Sequence, residues 1–201
     1  MNNQDVSLDS VDAVKVVYTG SVDHANIAYL LEIIDQINIR YENAKHIYLY
    51  IESLGGNIDA GIIAYRGLRA SASPITTINL SNIVPAGNYL FCAGKCREAA
   101  FQTAHFIIHP VSWASSEDKE TITPSKAINY TKLLNTYIEE SKSIYQDCSN
   151  ISSDQLDNTF YSKANCTIID TTEAKKDHII DGIAKKMITT PVSYYVYSTD
   201  Y

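Results

Sequence analysis

Apolar positions at the start of the chain alternate between a strand-like and a helix-like spacing. Residues 13–19 (AVKVVYT) and 46–51 (HIYLYI) are rich in β-branched and aromatic side chains, which is typical of buried strands. Between them, residues 25–39 (ANIAYLLEIIDQINI) carry apolar side chains at helical spacing. The pattern predicts a strand, a helix and a second strand.

The alternation continues through the central part of the chain. A glycine turn at 53–57 (SLGGN) precedes a predicted helix at 58–71 (IDAGIIAYRGLRAS), which ends in the sequence SASP. Residues 75–80 (ITTINL) predict a strand, a helix follows to about Gly94, and residues 101–109 (FQTAHFIIH) predict another strand. Repeated alternation of this kind favours an α/β domain with mostly parallel strands.

The pattern changes after residue 109. Residues 110–124 are polar and resemble a loop, whereas residues 125–148 form a long amphipathic helix pattern. A helix of this length buries its apolar stripe either against another subunit or against its own domain, and the sequence leaves both alternatives open. The stripe consists of Ile128, Leu133, Leu134, Tyr137, Ile138, Ile144 and Tyr145.

Short elements are predicted towards the end of the chain. Residues 152–161 predict a capped helix, and residues 167–183 predict a strand, a helix capped by Thr171 or Thr172, and a strand. The tyrosine-rich end, residues 189–201, has no helical period and predicts either an extended edge segment or a disordered terminus.

Size and charge limit the classes of function. The 201 residues, 45% of them hydrophobic, are expected to form one domain, 1–201, with residues 1–12 and 188–201 as extended or flexible ends. The net charge of −7 disfavours nucleic acid as a partner. No apolar run is long enough to span a membrane, and the polar N-terminus is unlike a secretory signal, so we expect a cytoplasmic location.

Cysteine usage suggests neither a disulfide framework nor a metal site. In a chain of this size without a signal peptide, the four cysteines are expected to be free thiols: Cys92, Cys96, Cys148 and Cys166. The first two, with His105 and His109, form a zinc-finger-like pattern whose middle spacing is short. Histidines four apart on a strand lie about 13 Å from each other, so we expect no metal there. We also expect no cofactor.

Four stretches, in order, resemble the Clp protease proteolytic subunit, a family of serine peptidases with the ClpP/crotonase fold. The stretches are HIYLYIESLGGNIDAGIIAY, with its glycine turn; SNIVPAGNYLFCAG, at the nucleophile turn; HFIIHP, at the catalytic histidine; and TIIDTTEAKKDHIIDGI, after the catalytic aspartate. The resemblance covers roughly residues 13–183. It implies an α/β fold of repeated β-β-α units with a protruding long handle helix, which would be residues 125–148.

The resemblance also implies positions for a catalytic site. Such peptidases need an attacking serine, a histidine base, an orienting aspartate and two backbone N–H groups that bind the oxyanion. His109 matches the histidine, and Gly56 and Ala86 match the residues that donate the N–H groups. Pro85 stands in place of the serine, and Cys166 in place of the aspartate.

The proline removes the nucleophile without disturbing the local fold. Pro85 has no hydroxyl, thiol or N–H group, yet proline fits the first position of a helix well. Ser81 lies four residues before it, and Cys92 lies seven residues after it, about 10 Å along a helix axis. Neither is expected beside His109, which would then be a vestige of catalysis. Asp170, the next carboxylate after Cys166, fits the aspartate position only after a shift of four residues.

Three functions follow from the resemblance. The first is a catalytically inactive subunit with a structural or regulatory role in a ring. The second is an ATP-dependent Clp-type peptidase that cleaves unfolded peptides with a relocated nucleophile. The third is a protein of the crotonase fold that binds an acyl group or acyl-CoA, although no basic cluster for the CoA phosphates is evident.

The resemblance finally implies partners. The family forms stacked heptameric rings, so we expect a homo-oligomer or a mixed ring with an active paralogue. Family members dock an unfoldase ATPase through apolar and aromatic surface pockets, and Tyr50 matches one of these aromatic residues. Ala70 stands where the family has a bulky aromatic residue, which argues against ordinary ATPase docking.

Overall fold

The computed structural model of the protein describes residues 10–41, 43–99, 101–112, 122–162 and 166–198. Within these ranges, no helix is both long and apolar enough to cross a membrane. The elements in chain order are β1 (Ala13–Thr19), α1 (His24–Arg40), β2 (His46–Ser53), α2 (Ile58–Arg69), β3 (Ile75–Ile83), α3 (Pro85–Cys92), β4 (Cys96–Ala99), β5 (His105–Ile108), α4 (Pro124–Cys148), α5 (Ser153–Phe160), β6 (Thr167–Ile169), α6 (Thr171–Lys176), β7 (Gly182–Ile183) and β8 (Val192–Tyr197).

The strands form one sheet with the order β6-β5-β3-β2-β1-β8, and β4 lies between β3 and β7. All the pairings are parallel except that of β5 with β6. The predicted α/β domain with mostly parallel strands is therefore confirmed. Alternate residues of β1 enter a core to which α1 contributes a helical stripe: Ile27, Leu30, Ile33, Ile34 and Ile37.

Several predicted boundaries are wrong by a few residues. The strand predicted at 101–109 is only His105–Ile108, because the preceding residues form a turn in which the Ala104 N–H donates to the Phe101 carbonyl. The strand predicted at 75–80 continues to Ile83. The helix predicted to end near Gly94 ends at Cys92, and β4, which was not predicted, follows it.

The predicted cap of α6 is also wrong. Asp170, not a threonine, caps this helix, and its side chain accepts hydrogen bonds from the N–H groups of Thr172 and Glu173 at 2.8 and 2.9 Å. Thr171 is instead buried, and its hydroxyl donates to the Gln102 carbonyl at 2.9 Å. An aspartate at this position also favours the positive end of the helix dipole.

The helix predicted at residues 125–148 is α4. Its two halves differ in how far they are buried. Its C-terminal half packs against its own domain through Ile138, Ser141, Ile144, Tyr145 and Cys148. Its N-terminal half is exposed, with Ile128 57% accessible. Among the described residues, α4 therefore buries its C-terminal half, and not its N-terminal half, against the rest of the domain.

The prediction of four free thiols is wrong for two of them. Cys92, at the end of α3, forms a disulfide with Cys148, at the end of α4, and both residues are 2% exposed. Cys96 and Cys166 are free and exposed. The packing of α3 against α4 brings together two cysteines that are 56 residues apart in sequence, and such a contact has no local signature.

The tyrosine-rich end adopts the extended alternative. β8 pairs in parallel with β1 at the edge of the sheet, and the hydroxyl of Tyr194 lies 3.3 Å from that of Tyr41. Residues 1–9 and 199–201, which belong to the predicted extended or flexible ends, lie outside the described residues.

Candidate active site

The glycine turn after β2 is held in a shape that only glycine adopts without strain. Gly55 and Gly56 have φ angles of +87° and +144°, and a Cβ on Gly56 would overlap the carbonyl oxygen of Val22. The Val22 N–H donates to the Gly55 carbonyl at 2.8 Å, and the Asn57 N–H donates to the Val22 carbonyl at 2.7 Å. Among the described residues, the Gly56 N–H between them has no acceptor.

A second turn, between β3 and α3, lies beside the first. Val84 is extended, with φ −106° and ψ 159°, and its N–H donates to the Ser53 carbonyl at 3.0 Å. Pro85 then begins α3, all of whose residues are buried. The Ala86 N–H, in the first turn of this helix, has no acceptor within the described part of the chain.

Ser53 joins these turns to the core of the sheet. Its buried hydroxyl donates to the Gly20 carbonyl at 2.6 Å and accepts from the Gly55 N–H at 3.2 Å. A Cβ on Gly87 would lie only 3.0 Å from the Ser53 Cβ, so α3 approaches the end of β2 closely. Ser53 thereby fixes the position of the glycine turn relative to α3.

His109 reaches the same edge of the sheet. β5 runs parallel to β3, with Asn82 paired with His105, so the carboxyl ends of both strands point the same way. The Nδ1 atom of His109 lies 2.9 Å from the carbonyl oxygen of Pro110. Because a carbonyl only accepts, Nδ1 carries the proton, which leaves Nε2 as the acceptor of the neutral ring.

Cys166 directly precedes β6, and His109 directly follows β5. The antiparallel pairing of β5 with β6 ends where Ile108 is opposite Thr167, so both residues lie just past the end of this pairing. No hydrogen bond joins the thiol to the imidazole in the described chain, and the Asp170 carboxylate is engaged as the α6 cap.

A cavity of about 420 Å³ brings together four of the site residues identified in the sequence: Gly56, Pro85, Ala86 and His109. Cys166 is not part of its lining. The apolar wall consists of Ile58, Val111, Leu134 and Phe160, and the further polar groups are Asn57, Asp59, Ser112 and Tyr137. Apolar walls with a few convergent polar groups are typical of a binding site.

Two polar side chains of this cavity form a bridge that the sequence did not reveal. Tyr137, on α4, donates its hydroxyl to Asp59, on α2, at 2.6 Å. The hydrogen bond to the carboxylate raises the pKa of Tyr137 to about 12, so its oxygen is a weak nucleophile. The only sequence signal was the position of Tyr137 in the apolar stripe, three residues after Leu134, which also lines the cavity.

The relocated nucleophiles considered from the sequence do not lie in this cavity. Cys92 is oxidised in the disulfide with Cys148, so the prediction that it carries a free thiol is wrong. Ser81 is exposed on β3 and is not a lining residue. Ser112, which no sequence motif indicates, also lines the cavity, but it forms no hydrogen bond with His109 in the described structure.

A larger cavity, of about 560 Å³, lies elsewhere and contains none of these site residues. Its charged lining consists of Arg69, Lys95, Arg97 and Asp147. No cluster of three or more potential metal-binding side chains occurs in the residues that the structure describes. The cavity of about 420 Å³ is therefore the candidate active site.

Comparisons with known proteins point to one family. The Clp protease family profile matches residues 4–187. The ATP-dependent Clp protease proteolytic subunit 2 of Treponema denticola is 35% identical over 66 residues, 32% of this chain and 33% of that protein. Its counterpart in Treponema pallidum is 32% identical over 71 residues, 34% of this chain and 36% of that protein. These alignments span only about a third of the length of either relative.

A solved structure of another protein has a similar fold. The structure of a ClpP1 mutant from Listeria monocytogenes superposes with a TM-score of 0.65 at 16% sequence identity, covering 86% of this chain and 91% of that one. At this identity the match concerns the fold alone, whereas the family profile covers nearly the whole chain. The chain thus belongs to the Clp protease family and has the ClpP fold.

Proposed function

We propose that the protein is a catalytically inactive Clp-type subunit with a structural or regulatory role in a ring. One observation carries the proposal. In the cavity that Gly56, Ala86 and His109 line, the residue at the start of α3, where the resemblance expects the attacking serine, is Pro85. A pyrrolidine ring cannot attack a carbonyl carbon.

The surroundings of the imidazole support the same conclusion. A triad base needs a carboxylate that stabilises the imidazolium, and removing this carboxylate costs about 10⁴ in kcat in serine peptidases. In the described structure, the partner of the His109 Nδ1–H is the neutral carbonyl of Pro110, and Cys166, just before β6, stands where the resemblance expects the aspartate. On this proposal, two of the three triad groups are missing.

Assembly into a ring is supported by the exposed half of α4. Ile122, two residues before α4, and Ile128, within its exposed half, are 65% and 57% exposed. The curated relatives are themselves named as subunits. We therefore place this half of α4 against a second copy of the chain, or against an active paralogue in a mixed ring.

Docking of an unfoldase ATPase is not part of the proposal. Tyr50, which matches an aromatic residue of the family's docking surface, is only 1% exposed, and its hydroxyl accepts a hydrogen bond from the Ile188 N–H at 2.9 Å. Ala70, where the family has a bulky aromatic residue, offers only a methyl group. A partner that needs both aromatic rings would find neither on this surface.

A second candidate function rests on Ser112. Its hydroxyl lines the same cavity as His109, on the segment that follows β5, so a working peptidase with Ser112 as the nucleophile is the specific alternative. Acyl-CoA binding is less well supported, because the described lining of this cavity contains no lysine or arginine for the CoA phosphates.

The test uses the purified full chain with a fluorogenic peptide and an active Clp-type subunit as the positive control. We expect no turnover above the buffer blank. Turnover that disappears in Ser112→Ala, but not in Ser81→Ala, would establish the alternative. Any turnover comparable to the positive control contradicts the inactive-subunit proposal.

A further inference from the structure

We propose that the cavity of about 560 Å³ binds a small anion that carries two or more linked phosphate groups. This cavity lies far from the candidate active site along the same two elements. It is lined by Ile75, at the start of β3, and by Ala93, after the end of α3, whereas Pro85 lies between the end of β3 and the body of α3. The inference therefore does not depend on whether the protein has catalytic activity.

The charged part of the described lining is mainly positive. Arg69, Lys95 and Arg97 contribute three cations, and Asp147 contributes one carboxylate. The chain as a whole has a net charge of −7, so this cavity differs in sign from the protein around it. The Coulomb attraction to the cations grows with the charge of the ligand. A compound with several phosphate charges therefore gains more here than a single carboxylate.

Two of the cations lie on one face of the chain at β4. The Lys95 N–H donates to the Ile75 carbonyl at 2.8 Å, which continues the parallel pairing of β3 with β4 by one residue. Side chains two residues apart in a strand point to the same face, so Lys95 and Arg97 share a face and Cys96 points away from it. Cys96 is accordingly not among the described lining residues.

The guanidinium of Arg97 is not saturated by the protein. Its Nη1 atom donates to the Cys148 carbonyl at 2.7 Å, and its Nε atom is buried without a hydrogen-bond partner. A guanidinium carries five N–H donors in a planar fork that matches the oxygens of a phosphate group. The contact with Cys148 thus holds the side chain in place and leaves donors for a ligand.

Arg69 borders the cavity from a different element. It is the last residue of α2, and its guanidinium carbon lies 5.5 Å from the centre of the Tyr65 ring. The Tyr65 hydroxyl in turn donates to Asp147 at 2.9 Å. Among the described residues, neither Arg69 nor Lys95 belongs to an ion pair. Cations on two separate elements suit a ligand with more than one charged group.

The experiment is isothermal titration calorimetry of the full chain with pyrophosphate, in the presence of a chelator that removes divalent cations. Pyrophosphate should bind about tenfold or more tightly than orthophosphate, and its affinity should fall as the salt concentration rises. ADP distinguishes two sources of the same chemistry. An affinity for ADP above that for pyrophosphate identifies a nucleotide as the ligand, and an affinity below it identifies a free diphosphate.

A matched pair of lysines tests the location. Lys95→Glu and Lys175→Glu change the net charge of the protein equally, and both side chains are exposed, but Lys175 lies on α6 and is not a described lining residue. Lys95→Glu should weaken pyrophosphate binding about tenfold or more, and Lys175→Glu should weaken it less than about threefold, because salt screens distant charges. Thermal unfolding of both variants verifies that they remain folded.

Asp147→Asn gives a change in the opposite direction. The substitution removes the one carboxylate of the described lining and keeps an oxygen that can accept the Tyr65 hydroxyl. Pyrophosphate affinity should then rise about threefold or more. No heat of binding at millimolar pyrophosphate, or equal weakening in Lys95→Glu and Lys175→Glu, overturns the site. Neither result affects the inactive-subunit proposal, which is tested by peptide hydrolysis.

Discussion

His109 donates its Nδ1–H to the carbonyl oxygen of Pro110 at 2.9 Å. In an active serine peptidase this proton faces a carboxylate, whose charge stabilises the imidazolium that forms when the serine is deprotonated. A carbonyl orients the ring but supplies no charge. Under the proposed function, the imidazole therefore has neither a serine to activate nor a carboxylate to stabilise its charged form.

Restoring activity therefore requires two substitutions. Pro85→Ser alone should give at most a trace of peptide hydrolysis, because the imidazolium lacks a carboxylate. Adding Cys166→Asp, at the position where the resemblance expects the aspartate, should raise the rate by orders of magnitude, up to about the 10⁴ that the carboxylate contributes elsewhere. The measurement is the hydrolysis of a fluorogenic peptide by the single and double variants. Equal rates in the two variants would show that Cys166 does not occupy the aspartate position.

Ser53 is expected to be important for stability, although it takes no part in chemistry. Ser53→Ala leaves the Gly20 carbonyl and the Gly55 N–H without their buried partner, which should lower the free energy of unfolding by about 1–3 kcal/mol. Urea unfolding followed by circular dichroism measures this loss. Ser81→Ala is the matched control on an exposed position and should change the stability by less than about 0.5 kcal/mol.

The disulfide between Cys92 and Cys148 closes a loop with a sequence separation of 56. Cys148→Ser should lower the free energy of unfolding by about 2–4 kcal/mol, because the unfolded chain is then less constrained. Cys96→Ser, which removes an exposed free thiol, is the control and should have little effect. Thiol counting by mass spectrometry without reductant gives the direct check, since four free thiols would contradict the pairing.

Alkaline pH should destabilise the fold through buried tyrosines. Burial raises the pKa of Tyr89 to about 12, so the folded protein keeps this proton above pH 10, where the unfolded chain loses it. The contribution of Tyr89 to stability is complete below pH 10 and is lost as the pH rises to about 12. Urea unfolding at several values between pH 8 and 12 should show this fall, and Tyr89→Phe should make it less steep. An identical slope in the variant would rule out this contribution.

Periodicity predicted most of the scaffold because apolar spacing reports which side of an element faces the core. It missed β4, whose four residues (CREA) are too short and too polar to show a strand pattern. It placed a threonine at the start of α6, although Asp170 one position earlier is the better cap. Both errors concern short elements, for which the sequence pattern of a strand or a helix is weak.

The candidate site residues came from a different kind of signal. Pro85 and His109 could be identified because each lies in a stretch that resembles a family motif, and the structure places both in one cavity. The bridge from Tyr137 to Asp59 and the disulfide of Cys92 depend on how α4 packs against the domain. Contacts between residues far apart in sequence leave no periodic signal, so neither could be derived from the pattern.

The proposal that the protein has no catalytic nucleophile is tested most directly by intact-protein mass spectrometry after incubation with a fluorophosphonate probe, which modifies activated serines. The mass of the full chain should remain unchanged, while Pro85→Ser with Cys166→Asp should gain the mass of one probe. Stoichiometric labelling of the unmodified sequence, mapped to a residue of the cavity such as Ser112, would contradict the account.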